Sequence, residues 1–337
     1  MKLMEKTLRP HAKRCLLTVA TVCFAGLSAS LPLRADDPPY PNKAIKLIVP
    51  QPPGGTGDGL GRIVAKHMFA ALGVPVIVEN KPGASSSIGM EAAARSAPDG
   101  YTMLLASSTG LVVNPLMMPS LRLDPIKELD PIGIISEGTV LMVAHPDFPA
   151  NDLRGTIELA KESPGEISYA TWGPASPAYV CMQMIEAATG IRMIHVAYKG
   201  GAPLVTDMVG GHIKVGFADS VSAFGPIQAG KLKVLASCAG KSESFPAAPS
   251  FKDQGVDFEF SWRNFLLVPA GTPAPIVKRL NEEFTRIQAS PEFAAQLRDL
   301  GASPAARQPP MSELKPIIRR DMDTLKKTLK QAEVKPE

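Results

Sequence analysis

Cysteine is scarce in this chain of 337 residues, with four in total, and this excludes a small fold built on disulfides. Hydrophobic residues make up 45% of the sequence and charged residues 20%, a balance that excludes intrinsic disorder and supports a sizeable core. Beyond residue 35, no apolar run reaches the ~20 residues that a membrane span needs. The sequence therefore predicts one large or two medium globular domains.

An excess of positive charge is also missing from most of the chain. The formal net charge is +4, but the first 35 residues hold six basic side chains and a single acidic one, Glu5. The remainder is close to neutral, so the charge balance gives no support for a nucleic-acid partner.

The N-terminus has the three parts of a secretory signal peptide. A basic stretch ends at Arg14, an apolar run follows to Leu27, and small residues precede an acidic pair. This order predicts a signal peptide over residues 1–35 that is cleaved after Ala35, with cleavage after Ser30 or an uncleaved membrane anchor as alternatives. We expect the mature protein to be exported to the periplasm.

Two cysteines, Cys181 and Cys238, lie outside that segment. In an oxidising compartment they could pair, but each lies in a helix-like or strand-like segment where a free cysteine is an ordinary core residue, and we expect free thiols. The histidines show no short ligand spacing with each other or with these cysteines, so no metal is expected. No cofactor is expected either, because no nucleotide-binding fingerprint can be aligned.

From residue 36 onward, β-branched runs alternate with helical patterns and Gly/Pro turns, as is typical of parallel α/β proteins. Asp58 is predicted to cap the first helix. Strands are predicted at 45–49, 75–80, 102–107, 140–145, 167–171, 192–198, 213–219, 232–237 and 263–270. Helices are predicted at 59–73, from near residue 87, and at 152–163, 176–189, 201–210, 273–287 and 312–331.

The Gly-rich loop at 50–58 is the strongest local signal. Its glycines let backbone N–H groups approach a ligand, and the helix that follows adds a positive dipole, so the loop suits a carboxylate or phosphate, although a plain tight turn remains the alternative. Catalytic motifs are absent: there is no G-x-S-x-G, no H-E-x-x-H and no marked pair of carboxylates. His195 is interpreted as a core histidine, and the serines at 85–87 as a polar loop or N-cap.

A series of blocks resembles one family, the exported solute-binding receptors of tripartite tricarboxylate transporters, or Bug proteins. The blocks lie in order at 40–58, 74–89, 97–102, 114–115, 168–176, 195–203, 208–219, 227–236 and 269–273. The resemblance implies an α/β periplasmic-binding-protein fold, with two α/β domains, two crossover segments and a ligand cleft between the domains. Domain I would comprise 36–140 plus 255–337, and domain II would comprise 141–254.

The resemblance also implies the ligand-binding residues, which would hold a carboxylate through backbone amides and hydroxyls. Domain I would contribute Gly54, Gly55, Thr56, Ser107, Ser108 and Thr109. Domain II would contribute Thr171, Trp172, Gly173, Ser176, Gly200, Gly201, Ala202 and Asp219. Trp172 would either line a pocket for a flat ligand or pack at the domain rim, whereas Trp262 is expected to lie away from the ligand.

The function implied is that of a monomeric, non-enzymatic receptor that captures a small organic carboxylate and delivers it to membrane transporter subunits. An exported α/β hydrolase acting on a carboxylate ester is one alternative, and a binding protein that feeds a membrane sensor is another. Dicarboxylates, tricarboxylates, aromatic acids and acidic amino acids all present the same anchoring group, so the ligand stays open at this point.

Overall fold

The computed structural model describes residues 39–118, 121–174, 176–240, 244–305 and 307–334. The predicted signal peptide over residues 1–35 lies outside the described residues. Within the described chain, no helix is both long enough and apolar enough to cross a membrane.

Strands and helices alternate along most of the described chain. The strands are β1 (Ile45–Val49), β2 (Val76–Asn80), β3 (Thr102–Ser107), β4 (Leu129–Ala144), β5 (Ser168–Thr171), β6 (Ile194–Ala197), β7 (Val215–Asp219), β8 (Lys233–Ser237), β9 (Ser261–Pro269) and β10 (Ser303–Pro304). The α-helices are α1 (Thr56–Leu72), α2 (Ser87–Ala94), α3 (Asn114–Met117), α4 (Pro125–Glu128), α5 (Leu153–Glu162), α6 (Pro177–Thr189), α7 (Gly201–Val209), α8 (Ser220–Gln228), α9 (Ala274–Gln288), α10 (Pro291–Asp299) and α11 (Met311–Gln331).

The strands join into one mixed sheet in the order β2-β1-β3-β9-β4-β7-β5-β6, with β8 and β10 also paired to β4. Strands β1, β2 and β3 are parallel, whereas β9 runs antiparallel to both β3 and β4. The prediction of a parallel α/β pattern is therefore right for the strands linked by helices and wrong for β4 and β9. Helix α8 was also missed by the sequence patterns, because its Gly225 and Pro226 read as a turn.

Strand β4 lies in the middle of the sheet and joins its two parts. Residues 129–139 pair with β9, and residues 140–144 pair with β7 and β8. We call β2, β1, β3, β9 and residues 129–139 half A, and we call residues 140–144, β7, β8, β5 and β6 half B. The strand predicted at 140–145 is only the end of β4. Its beginning is not predicted, because Pro131, Gly133 and Gly138 are residues that disfavour the interior of a strand.

Side chains cover both faces of half A, as the alternation along β1 shows. Leu47 and Val49 pack with residues of α1, α9 and α10, whereas Ile48 between them packs into a separate cluster with residues of α2 and α11. On the predicted apolar face of α1, Val64 and Met68 are fully buried. Helices on both faces of the sheet fit the α/β class that the sequence predicts.

A disulfide joins Cys181 of α6 to Cys238, which follows β8. The expectation of free thiols is therefore wrong. Helix α6 packs against the sheet so that the two Cα atoms lie 6.6 Å apart, a separation that a disulfide spans. The two cysteines are 57 residues apart in sequence, so only the tertiary packing brings them together.

Candidate functional site

A cavity of about 750 Å³ is bordered by both halves of the sheet. This volume lies in the ordinary range for small-molecule sites. Its lining includes nine of the residues predicted to bind a ligand: Gly55, Thr56, Thr109, Trp172, Gly173, Gly200, Gly201, Ala202 and Asp219.

Helix α1 begins at this cavity, and its N-cap residue has no side chain to cap it. This N-cap is Gly55 rather than the predicted Asp58, and Gln51 Oε1 accepts the Gly57 N–H of the first turn at 2.7 Å. Asp58 lies in the first turn instead, where its carboxylate accepts the Gly54 N–H at 3.0 Å and pairs with Arg62. Burial tends to raise the pKa of Asp58, but the hydrogen bonds from Arg62 and Gly54 bring it below its usual range. Gly54, with φ of 78°, makes the tight turn that this arrangement requires.

Helix α7 also begins at the cavity, from half B. Its N-cap is Gly200, at φ of 125°, and this helix has no side-chain cap. An uncapped helix N-terminus leaves backbone N–H groups without intrahelical partners and carries the positive end of the helix dipole. Because α1 and α7 both start at one cavity, its wall favours an anion.

Asp219 joins the two halves at the same place. Its Oδ1 accepts the hydroxyl of Thr56 at 2.8 Å and the N–H groups of Val221 and Ser222, so it also caps α8. Its Oδ2 accepts the hydroxyl of Ser222 at 2.6 Å. These four donors hold the Asp219 carboxylate in place as part of the cavity wall. The Thr56 hydroxyl donates to Asp219 and is therefore not available to donate to a ligand.

Three predicted hydroxyl residues lie outside the cavity lining and bind nearby protein groups. Ser108 Oγ accepts the Arg263 N–H at 3.0 Å. Thr171 Oγ1 lies 2.7 Å from His195 Nε2 and accepts the Gly173 N–H. Ser176 caps α6 by accepting the Tyr179 N–H. All three hydroxyl side chains are buried, and their bonds position the loops that border the cavity.

Gly54 and Ser107, the other two predicted residues, also lie outside the lining. Ser107 ends β3, where it is buried and pairs in register with Asn264 of β9. Gly54 borders a separate cavity of about 480 Å³ on the other side of the α1 N-terminus, which Asp299 and Leu300 also line. Gly54 directly precedes the lining residue Gly55 at the start of α1, and Ser107 lies two residues before the lining residue Thr109 at the end of β3. Both help to position these lining residues.

Two indoles form an aromatic wall of the cavity. The rings of Trp172 and Trp262 stack with their centroids 5.6 Å apart and their planes at 21°, and both residues line the cavity. Trp262 borders this cavity although it was expected to lie away from the ligand, because it pairs with Gly138 of β4, next to the point where β4 passes from half A to half B. Trp262 is only 5% exposed, and its Nε1 finds no hydrogen-bond partner among the described residues.

A loop of unusual backbone geometry completes the lining. Ala84, Ser85 and Ser86 all have positive φ, of 43°, 50° and 82°, which costs about 1–2 kcal/mol for each such residue. The buried Asn114 donates from Nδ2 to the Ser85 carbonyl at 2.6 Å and so holds the loop in place. Sequence reasoning identified this segment as a polar loop or N-cap, but nothing in the residue types showed its left-handed backbone.

A search of the described chain shows no group of three or more His, Cys, Asp or Glu side chains that could hold a metal ion. His195 stacks on Tyr169, with ring centroids 5.1 Å apart, and contacts Tyr179. These contacts give the half-buried His195 a packing role beside Thr171.

Comparisons with known proteins agree with this geometry. The model of the tripartite tricarboxylate transporter family receptors matches residues 60–331. Protein BugT of Bordetella pertussis is 32% identical over 297 residues, which cover 87% of this chain and 90% of BugT. The structure of a periplasmic transporter is 35% identical, with a TM-score of 0.82 over 88% of this chain and 99% of its own. An R. palustris protein with adipate has a TM-score of 0.83 at 24% identity, over 88% and 100%.

These matches confirm the predicted α/β periplasmic-binding-protein fold, while the domain boundaries near residues 140 and 255 stay a prediction. The alternative of an exported hydrolase is wrong, because the matched family consists of non-catalytic receptors. The chain belongs to the tripartite tricarboxylate transporter receptor family of periplasmic solute-binding proteins.

Proposed function

We propose that this chain is exported by cleavage near Ala35, captures a small organic carboxylate in the 750 Å³ cavity and delivers it to the membrane subunits of its transporter. The observation that carries the proposal is the meeting of two helix N-termini with glycine N-caps, those of α1 and α7, at one cavity. We call the residues Gly55, Thr56, Gly200 and Gly201 the anion end of the cavity.

Neutral donors are sufficient to hold the carboxylate. A hydrogen bond to a charged group contributes about 1.5–3 kcal/mol, so a few backbone N–H groups account for tight binding without an arginine. Lys199, which directly precedes Gly200 and lines the cavity, adds a positive charge beside the same end. The R. palustris protein of the same fold has adipate bound, which supports a carboxylate as the ligand class.

The anion end contains residues from both halves, so a bound carboxylate contacts both. Thr56 belongs to the helix that follows β1 of half A, and Gly201 belongs to the helix that follows β6 of half B. We propose that domain I (36–140 plus 255–337) and domain II (141–254) close on the ligand, because these contacts exist together only in the closed form. Small-angle scattering should show a more compact particle at saturating ligand.

The binding test compares a carboxylate with its uncharged amide. We expect titration calorimetry to show binding of adipate and little binding of adipamide, because helix N-termini favour the anion. In Gly55→Val, binding should be lost, since a Cβ at this position already lies 3.3 Å from the Pro52 carbonyl oxygen at the cavity wall. Gly225→Val is the matched control, because no atom lies within 4 Å of a Cβ there and Gly225 lies outside the lining.

Equal affinity for acid and amide, or undiminished binding by Gly55→Val, would move the site elsewhere. Export is tested separately by N-terminal sequencing of the periplasmic protein, which should begin at or near Asp36. Delivery is tested by uptake of labelled ligand into cells that contain the transporter, with and without this protein. A response without uptake would favour the sensor-linked receptor.

A further inference from the structure

We infer that the ligand is a carboxylate with a flat aromatic body, whose ring packs against the indoles of Trp172 and Trp262. This inference rests on the proposed function, because it places the carboxylate at the anion end. It adds the chemical class of the rest of the ligand.

The first argument is the distribution of charge around the cavity. Among the described residues that line it, Lys199 and Asp219 carry charged side chains. Both lie at the start of α7: Lys199 precedes the N-cap Gly200, and Asp219 Oδ2 lies 3.1 Å from a Cβ placed on Gly201. The Asp219 carboxylate is already matched by its own four donors, so a single ligand carboxylate near this end is matched by the N-terminus of α7 and by Lys199.

The second argument is the composition of the wall around the indoles. Gly173 follows Trp172, and a Cβ placed on it lies 3.6 Å from Ser85 Oγ, so the loop at 83–86 borders this part of the cavity. Its described lining here consists of indoles, prolines, glycines and small side chains, without a charged group. A second carboxylate would lose its hydration here without a cation to compensate, which costs several kcal/mol. An apolar group avoids this cost.

The third argument is the geometry of the indole pair. Their planes differ by 21° and their centroids lie 5.6 Å apart, so the two rings are stacked. An aromatic ring packed against Trp172 extends this stack better than a puckered aliphatic ring does. Trp262 is held on β9 and is nearly fully buried, which fixes one of the two rings.

The test is titration calorimetry of the mature protein with three acids: benzoate, cyclohexanecarboxylate and adipate. Benzoate and cyclohexanecarboxylate share the carboxylate and the number of carbon atoms, so the pair isolates the effect of flatness. We expect benzoate to bind about tenfold more tightly than either aliphatic acid, as one good aromatic contact allows.

Variants identify the surface that contacts the ring. Trp172→Ala should weaken benzoate binding about tenfold while changing the affinity for adipate little, and Trp172→Phe should restore most of the loss. Phe69→Ala is the control, because Phe69 is 52% exposed on α1 and lies outside the cavity lining; its affinity for benzoate should be unchanged.

The possible outcomes separate this inference from the proposed function. If adipate binds more tightly than benzoate, or if Trp172→Ala leaves benzoate affinity unchanged, the aromatic class is wrong while the carboxylate receptor stands. If none of the three acids binds, the anion end is wrong and the inference fails with it.

Discussion

The hydrogen bond between Thr56 and Asp219 gives the sharpest test of how the cavity walls are joined. The bond is 2.8 Å long, its acceptor is a carboxylate, and both side chains are buried, at 8% and 4% exposure. Buried hydrogen bonds to charged groups contribute about 1.5–3 kcal/mol to stability. Thr56→Val keeps the shape and removes the hydroxyl, so we expect the free energy of unfolding to fall by this amount. Thr56→Ser keeps the hydroxyl and should lose only about 1 kcal/mol, for one methyl group.

A double-mutant cycle isolates this contact from the capping of α8. Asp219→Ala removes the cap of α8 and the hydrogen bond to Thr56 together. Comparing both single variants with the double variant Asp219→Ala/Thr56→Val shows how much of the lost unfolding free energy belongs to that hydrogen bond. Urea denaturation at saturating ligand, which holds the two domains closed, followed by circular dichroism gives the four free energies, and we expect a coupling energy of about 1.5–3 kcal/mol. A coupling energy below about 0.5 kcal/mol would refute the bridge, because residues out of contact are additive within that range.

Two further predictions concern the disulfide and the strained loop. The bond between Cys181 and Cys238 closes a loop of 57 residues. On the chain-entropy estimate, the variant with both cysteines replaced by alanine should therefore lose about 4 kcal/mol of unfolding free energy. A urea midpoint equal to that of the oxidised protein would contradict this. Ala84→Gly should raise the unfolding free energy by about 1 kcal/mol, because Ala84 has a φ of 43°. As the control, Ala92→Gly in helix α2 should lower the unfolding free energy by about the same amount. Thermal melts in which both variants shift the melting temperature in the same direction would argue against strain at Ala84.

Sequence patterns predicted the elements whose signals are local. The strand at 45–49 and the apolar face of the following helix are visible because buried β-branched residues and a 3.6-residue period need no knowledge of the rest of the fold. The beginning of β4 was missed for the opposite reason. Pro131, Gly133 and Gly138 disfavour a strand locally, and pairing with β9 along residues 129–139 overrides that preference.

The same distinction explains the site. The Gly-rich loop could be found because glycine and a helix start are readable in sequence, and the resemblance supplied the residues on half B. The roles of Thr171 and Ser176 could not be read, since their hydroxyls are used by His195 and by the cap of α6. Trp262 lies 90 positions beyond Trp172 in the sequence, and only the tertiary fold, which pairs Trp262 with Gly138 of β4, brings the two indoles into contact.

The two ends of the cavity differ in what a ligand must replace. At the anion end, the Asp219 carboxylate already uses the Thr56 hydroxyl and the α8 N–H groups. A ligand carboxylate therefore takes the remaining backbone donors at the N-termini of α1 and α7 without breaking the Thr56–Asp219 hydrogen bond. At the aromatic wall, a ring that packs against Trp172 adds a stacked contact to the indole pair, and a non-aromatic group there gains no equal contact. Any carboxylate therefore gains at the first end, and discrimination between carboxylates belongs to the second. Substitutions at the anion end should weaken all bound acids by similar factors, whereas substitutions of Trp172 should change their order of affinity.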